Sequence, residues 1–259
     1  MNYAAKHILS MLQGKLLIPL AVLAFLALLI ALAYSGMFAW RRYRAEMLVR
    51  LDPAENPFYA AANSAVPEKR PEGRRRIVFF GDSRIRQWDP LPAWDNAEIL
   101  NRGISGQTTG QIRLRLENDV LALKPDLVVL QMGANDLKTI GLFPAERQAI
   151  ADRCEANIRF IATTLAANQI RVLLLTIFPT SKPELLRRPI WSKAIGDSID
   201  HVNRNLLQIN DPLITLLDCD AILRNGRGRY IDPAFALDTL HLNREAYEQL
   251  NKALEDWKP

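Results

Sequence analysis

The strongest constraint on this chain is an uncharged stretch near its amino end, from Leu16 to Trp40. A helix of about 25 residues reaches about 37 Å, and a bilayer core needs about 20 apolar residues. Tyr34, Phe38 and Trp40 crowd one end, where aromatic rings favour the membrane interface. The stretch is too long for a signal peptide and lacks a clear cleavage site. We therefore predict a retained single-pass transmembrane helix over residues 16–40, after a short tail over residues 1–15.

The next segment, residues 41–75, is rich in proline and has little periodicity, so it is predicted to be a juxtamembrane linker. Its aromatic pair, Phe58 and Tyr59, is expected to pack on the surface of the domain that follows. That domain is predicted to occupy residues 76–259.

Strand-like and helix-like patterns alternate through the rest of the chain. Continuous apolar runs predict β-strands at Ile77–Phe80, Glu98–Asn101, Asp126–Gly133, Ile170–Pro179 and Pro212–Asp218. Apolar residues at helical spacing predict helices at Thr109–Leu123, Ala145–Asn168, Lys193–Ile209 and Arg244–Trp257. The alternation predicts a three-layer α/β/α domain of flavodoxin-like type with a parallel sheet.

Composition excludes several classes of function. The net charge of +5 comes largely from two arginine clusters without interleaved aromatic residues, so no nucleic-acid partner is predicted. The two cysteines, Cys154 and Cys219, are expected to be buried free thiols, and one disulfide between them is the alternative. Three histidines without clustered Cys or His spacing indicate no metal site, and no cofactor is expected.

One predicted strand ends abruptly in polar residues, within "RRRIVFFGDSRIRQW". Gly81, Asp82 and Ser83 follow its apolar run, and these residue types are common in turns. Functional residues of parallel α/β sheets also collect beyond the carboxyl ends of the strands. Ser83 is therefore either a turn residue or a nucleophile held at a strand end.

A serine nucleophile requires a histidine base and a carboxylate that orients it. His7 precedes the apolar stretch, and His201 lies inside a helical pattern. His241 lies in "DTLHLN", three residues after Asp238, so a turn can bring these two side chains together. His241 and Asp238 are the candidates.

Acyl transfer also needs hydrogen-bond donors aimed at the developing oxyanion. The candidates are the backbone N–H of Ser83, a glycine amide in "NRGISGQTTGQ", and the carboxamide of Asn135 in "MGANDL". Each of these stretches follows a predicted strand.

The motifs "FFGDSRI", "NRGISGQTTGQIRLRL", "LQMGANDL" and "DTLHLN" resemble, in the same order, the blocks of the SGNH hydrolases, the GDSL-type esterase/lipase family. The resemblance covers the chain from about Arg76 to its end. The second block is most similar to the branch of platelet-activating-factor acetylhydrolase catalytic subunits and bacterial carbohydrate esterases. The resemblance implies Ser83 as nucleophile, His241 as base, Asp238 as its orienter, and the Gly106 amide and Asn135 as oxyanion donors beside the Ser83 amide.

The first block departs from the family pattern because Arg84 replaces the usual leucine. Arg84 is a candidate substrate contact, and a solvent-facing or ion-paired side chain is the favoured alternative. Arg187, Arg188 and Trp191, in the segment after the fourth strand, are further candidate contacts. An exposed loop with one packed tryptophan is the alternative there.

The predicted function is a membrane-anchored serine esterase that removes short-chain O-acyl groups, such as acetyl, from a glycan. A long apolar lid is not evident in the sequence. The alternatives are a lysophospholipase or thioesterase, and a non-hydrolytic envelope module that binds polysaccharide or transfers acyl groups.

Membrane orientation is predicted in opposite directions by two arguments. The cations after the apolar stretch, Arg41, Arg42, Arg44 and Arg50, outnumber Lys6 and Lys15 before it, which favours a cytoplasmic domain. Tethered bacterial enzymes of the family often face the periplasm. An inner-membrane location with either orientation is expected, and the oligomeric state is left open.

Overall fold

The structure is a computed structural model that describes residues 3–69, 72–224 and 228–255, with side chains described from residue 17 onward. The chain divides into two compact units, Met1–Pro53 and Ala54–Pro259.

The first unit is one long helix, α1 (Tyr3–Leu51). Its portion Leu17–Leu51 contains an 18-residue window with a mean hydropathy of 2.7 and is long and apolar enough to cross a membrane, although a signal sequence passes the same test. The helix continues past Trp40, so residues 41–51 are helical and differ from the predicted linker. An ion pair between Arg50 and Glu46 lies on this extension.

The second unit is an α/β domain that follows the predicted alternation. Its strands are β1 (Arg75–Gly81), β2 (Ala97–Gly103), β3 (Leu127–Gln131), β4 (Arg171–Leu175) and β5 (Ile214–Leu217). Its helices are α2 (Ala60–Ser64), α3 (Ser83–Arg86), α4 (Thr109–Leu114), α5 (Leu116–Asp119), α6 (Ala134–Leu137), α7 (Arg147–Ala167), α8 (Lys193–Leu206), α9 (Cys219–Leu223) and α10 (Arg244–Ala253).

The five strands form one parallel sheet in the order β2-β1-β3-β4-β5. This is the flavodoxin-like order, in which the chain reverses direction across the sheet between β1 and β3. The carboxyl ends of β1, β2 and β3 therefore lie side by side, and the residues that follow them share one edge.

The sheet is buried on both faces, as the continuous apolar runs predicted. Val78, Phe80, Val128 and Leu130 belong to an apolar cluster on one face, together with residues of α7 and α8. The alternate strand residues join α9 and α10 on the other face. The three-layer α/β/α prediction is confirmed.

The two cysteines belong to opposite layers of this sandwich. Cys154 packs in the cluster with α7, and Cys219 packs in the cluster with α10. Both are buried free thiols, and burial raises the pKa of each. The disulfide alternative is therefore wrong.

One predicted helix is interrupted in the structure. The pattern Thr109–Leu123 is broken at Arg115 into α4, α5 and a 3₁₀ turn at Leu121–Leu123. The break coincides with a fully buried arginine side chain that donates to the carbonyls of Gly81 and Arg102. Apolar periodicity cannot reveal such long-range contacts.

The segment Ala54–Ser64 is part of the domain rather than a free linker. Ala54 is buried, and its carbonyl accepts from Gln107 Nε2 at 3.0 Å. Tyr59 is also buried, and its hydroxyl donates to the Gly103 carbonyl at 2.7 Å. Asn63 donates to Asp119 Oδ1 at 2.8 Å. The expected packing of Tyr59 on the domain is confirmed, and the compact unit begins well before residue 76.

Candidate active site

Ser83 is the first residue of α3, immediately beyond the carboxyl end of β1. Asp82 is the helix N-cap, and its Oδ1 accepts from the Arg84 N–H at 2.9 Å. Gly81 permits a close approach to β3, because a Cβ there would lie 1.8 Å from the Gln131 carbonyl oxygen. The Ser83 N–H belongs to the first helical turn, whose amides have no partner within the helix.

The structure brings together Ser83, Asp238 and His241, which lie far apart in the sequence. His241 Nε2 lies 3.1 Å from Ser83 Oγ, and His241 Nδ1 lies 2.8 Å from Asp238 Oδ2. The other carboxylate oxygen, Asp238 Oδ1, accepts from the backbone N–H of Leu240 and of His241. The geometry is that of a serine–histidine–carboxylate triad.

The hydrogen bonds to Asp238 set its charge state. Burial by itself would raise the pKa of Asp238, but the His241 ring and two backbone N–H groups lower it to about 2. The carboxylate is therefore ionised at neutral pH. It holds the Nδ1 proton of His241 and leaves Nε2 to face the serine hydroxyl.

Gly106 lies in the loop after β2, with a φ of +83° that suits glycine. No backbone carbonyl among the described residues accepts from its N–H. The loop is joined to the serine turn, because the Ile104 N–H donates to the Gly81 carbonyl at 3.1 Å. The loop that carries Gly106 therefore adjoins the serine turn.

Asn135 lies in α6, beyond the carboxyl end of β3, and is held at both ends of its carboxamide. Its Nδ2 donates to the Gln107 carbonyl at 3.0 Å, and its Oδ1 accepts from Lys138 Nζ at 2.5 Å. One of the two Nδ2 hydrogens remains for another acceptor. These two contacts fix the orientation of the amide.

A second contact joins the same two loops. Asp136 accepts from both the backbone N–H and the hydroxyl of Thr109, at 2.9 and 2.6 Å. Burial raises the pKa of Asp136 to about 6, although the bonds from Thr109 oppose the rise. The residue pair Asn135–Asp136 therefore fastens α6 to the glycine loop after β2.

The prediction of Arg84 as a substrate contact or solvent-facing residue is corrected by the structure. Its side chain is 1% exposed and points into the protein. The guanidinium donates to the carbonyls of Phe178, Pro179 and Leu240. With its nitrogens bound to backbone, it has no surface to offer a substrate.

The three candidate contacts after β4 differ in their surroundings. Trp191 is half-buried and packs against the apolar cluster of α7 and α8, as in the alternative interpretation. Arg188 is exposed, whereas Arg187 is half-buried. Burial lowers the pKa of Lys138, and the nearby charge of Arg187 lowers that pKa further. Of the three, Arg187 is therefore the one whose charge acts on Lys138, the partner of Asn135.

Sequence reasoning missed several residues that support this site. Lys138 is three residues after Asn135, a helical spacing that places the two side chains together and was a usable signal. No local spacing indicated Gln107 or Arg115. The Arg115 guanidinium donates to Gln107 Oε1 and to the Gly81 carbonyl, and these contacts depend on the tertiary fold. In the described part of the chain, no group of three His, Cys, Asp or Glu side chains has an arrangement that would hold a metal ion.

A parallel α/β sandwich with these groups at the carboxyl edge of its sheet has the form of an ester-hydrolysing enzyme. The sequence profile of the GDSL-like lipase/acylhydrolase family matches residues 79–249. The chain belongs to that family, as its four motifs predicted.

Individual relatives support the assignment. The chain is 34% identical over 82 residues to an acetylxylan esterase of Geobacillus stearothermophilus, covering 31% of this chain and 37% of that protein. It is 31% identical over 123 residues to the uncharacterized lipoprotein YqeF of Bacillus subtilis, covering 41% of this chain and 50% of that protein. The chain thus spans half or less of these curated relatives.

The fold is also similar to that of solved structures. A GDSL-like lipase from Bacteroides thetaiotaomicron superposes with a TM-score of 0.63 at 25% identity, covering 79% of this chain and 97% of that chain.

Proposed function

We propose that the protein is a membrane-anchored serine esterase that acts through an acyl-serine intermediate. The observation that carries this proposal is the 3.1 Å contact between His241 Nε2 and Ser83 Oγ, with Asp238 bonded to the opposite ring nitrogen. A hydroxyl, an imidazole and an ionised carboxylate in this order constitute an activated nucleophile.

The residues divide the reaction between them. His241 takes the hydroxyl proton as Ser83 Oγ attacks the ester carbonyl carbon, and Asp238 stabilises the imidazolium. The oxyanion is bound by the N–H groups of Ser83 and Gly106 and by the Asn135 carboxamide. His241 then protonates the leaving alcohol, and water hydrolyses the acyl-serine by the same steps.

A short acyl group on a glycan is the substrate that we favour. One relative is named an acetylxylan esterase, and an acetyl group on a sugar is a short ester of a polyhydroxylated alcohol. The half-buried Arg187 and the exposed Arg188 are retained as proposed contacts to the sugar.

A lipid ester is the second candidate, and one observation favours it. Leu185 and Leu186 are 73% and 91% exposed in the segment after β4 that also carries the two arginines. Exposed leucines are suited to an acyl chain or a lipid surface. A lysophospholipid or thioester substrate would use them.

The test of the nucleophile is the Ser83→Ala variant of the full chain. Hydrolysis of p-nitrophenyl acetate should fall by more than about 10³-fold, because Ser83 carries the one hydroxyl bonded to His241 among the described residues. The matched control is Ser64→Ala, an exposed serine whose hydroxyl binds only the nearby Ala61 carbonyl. Parent activity in Ser83→Ala would exclude the acyl-serine mechanism.

The test of substrate class uses p-nitrophenyl esters of increasing acyl length, followed by acetylated xylan and a lysophospholipid. A steep loss of kcat/KM beyond acetyl is expected. A rate that rises with chain length would instead support the lipid candidate. An added sugar acceptor distinguishes hydrolysis from acyl transfer, since a transferase yields the acylated acceptor in preference to the free acid.

We also propose that the segment Leu17–Leu51 is the membrane anchor, on the basis of its length and apolar composition. A reporter fused to the carboxyl terminus, active on only one side of the membrane, would identify the side on which the catalytic domain lies. Recovery of the full chain in the soluble fraction would contradict the anchor.

A further inference from the structure

Arg84 follows Ser83 directly and is one of the most deeply buried charged residues of the domain. Its Nε donates to the Leu240 carbonyl at 2.9 Å, its Nη1 to the Phe178 carbonyl at 2.7 Å and its Nη2 to the Pro179 carbonyl at 3.0 Å. The guanidinium carbon also lies 5.5 Å from the centre of the Phe178 ring. All three nitrogens of the side chain therefore donate to backbone carbonyls.

These acceptors belong to two separate loops. Leu240 immediately precedes His241, while Phe178 and Pro179 follow the strand β4. The backbone of Arg84 is held as well, because its N–H donates to Asp82 Oδ1 and its carbonyl accepts from the Tyr247 hydroxyl of α10. One residue thus connects the serine turn to the histidine loop, the loop after β4 and the last helix.

The histidine loop has few other hydrogen bonds that set its distance from the serine, although Leu242 packs in the same apolar cluster as Ile85 and Trp88. The bonds to Asp238 from Leu240, His241 and the imidazole all lie within the loop, so they orient the ring without placing it over Ser83. The bond from the Ser181 N–H to the Thr239 carbonyl joins the loop to the segment after β4. Among the hydrogen bonds of the described residues, the one from the Arg84 side chain joins the nucleophile's own helix to Leu240, the residue before His241.

We propose that Arg84 is a positioning residue that sets the separation between His241 Nε2 and Ser83 Oγ. The proposal rests on the proposed function of these two residues. A planar guanidinium offers five donors in a fixed fork, which suits three carbonyls from different parts of the chain. A lysine has one ammonium at this place, and the leucine of the usual motif has no donor.

The competing explanation is that Arg84 only stabilises the fold, and Arg76 provides a matched control for it. Arg76 is also buried, at 2% exposed, and donates to the carbonyls of Leu123 and Pro67 at 2.6 and 2.7 Å. It lies near the start of β1, whereas Ser83 follows the end of that strand. Loss of Arg84 leaves three carbonyls without this donor, and loss of Arg76 does the same to two carbonyls and to Glu98 Oε2. Of the two arginines, Arg84 alone touches the histidine loop.

The experiment compares Arg84→Met, Arg84→Lys and Arg76→Met in the full chain. The measurements are kcat and KM for p-nitrophenyl acetate, the labelling rate of Ser83 by an alkyl fluorophosphonate, and the melting temperature. Arg84→Met should lose about 10- to 100-fold in kcat and labelling rate, with KM within about twofold, because an ångström of misplacement has such an effect. Arg84→Lys should lie between Arg84→Met and the parent. Arg76→Met should melt at a similarly lowered temperature yet keep kcat within about twofold of the parent.

Two results would overturn the proposal. One is parent kcat in either folded Arg84 variant, and the other is an equal loss of kcat in Arg76→Met. The Ser83→Ala variant keeps this failure separate from failure of the proposed function. If Ser83→Ala is inactive while Arg84→Met reacts at the parent rate, the triad stands and only the positioning role is lost.

Discussion

Asn135 shows how a single side chain acquires a defined direction. A carboxamide can rotate to present either its oxygen or its nitrogen to a crevice. Here the Oδ1 accepts from Lys138 Nζ and the Nδ2 donates to the Gln107 carbonyl, so the nitrogen end is assigned by its partners. Partial burial lowers the pKa of Lys138, and the nearby charge of Asp82 opposes that shift. Because its ammonium donates to Asn135 Oδ1, we expect Lys138 to act through Asn135.

This arrangement predicts that Lys138→Met lowers kcat by about 10-fold and leaves KM nearly unchanged, because the amide loses the partner that orients it. Asn135→Ala should lower kcat by about 10²- to 10³-fold, as for other oxyanion donors. The double variant should be no slower than Asn135→Ala, since Lys138 has no separate effect on the reaction. Lys252→Met, an exposed lysine on α10, is the control. Fully additive losses would mean that Lys138 contacts the substrate directly.

At the scale of the elements, the site is assembled from the ends of neighbouring parallel strands. The serine turn follows β1, the Gly106 loop follows β2, and Asn135 follows β3, so the order β2-β1-β3 places them side by side. The link from Asp136 to Thr109 fastens the second of these elements to the third. Burial of the Asp136 carboxylate at this link has a measurable electrostatic cost.

Burial raises the pKa of Asp136 to about 6, above its usual 3.8, so the folded state holds a proton that the unfolded state releases between about pH 4 and 6. The free energy of unfolding should therefore fall as the pH rises through that window, by up to about 3 kcal/mol from this group. Asp136→Asn should remove that part of the slope. Chemical denaturation at pH 4, 5, 6 and 7 provides the measurement, and an unchanged slope in the variant would contradict the prediction.

At the scale of the whole molecule, the catalytic unit begins at Ala54, earlier than the motifs suggest. The segment Ala54–Ser64 supports the loop after β2 from outside the sheet. Tyr59 holds the Gly103 carbonyl, and the Ala54 carbonyl holds Gln107, whose backbone in turn accepts from Asn135. The segment is therefore connected to Asn135 through two successive hydrogen bonds.

Two truncations test this boundary. A chain that starts at Ala54 should be soluble and should hydrolyse p-nitrophenyl acetate at the parent rate. A chain that starts at Arg75 should melt about 5–10 °C lower, because the Gly103 carbonyl, Asp119 Oδ1 and Gln107 Nε2 lose the partners that the segment supplies. Its kcat should also fall. Equal melting temperatures for the two chains would show that Ala54–Ser64 is a linker after all.

Local pattern accounts for much of what was predicted. Apolar periodicity and continuous apolar runs gave the strands and the long helices, because each residue's burial on a sheet or helix face is a short-range property. The order of the four motifs predicted the family. Residue chemistry predicted Ser83, Asp238, His241 and Asn135 as site residues, and the family resemblance added Gly106. The structure then joined Ser83, His241 and Asp238 by hydrogen bonds and placed Gly106 and Asn135 after the strands on either side of β1.

The sequence by itself determined which segments form strands and helices and which side chains carry reactive groups. Only the tertiary structure decided that Arg84 points inward, that Arg115 breaks a predicted helix, and that Ala54–Ser64 packs on the domain. The physical reason is the range of the interactions. Arg84 meets Leu240 across 156 positions of the chain, and no local spacing or propensity specifies which backbone carbonyl a buried cation will find.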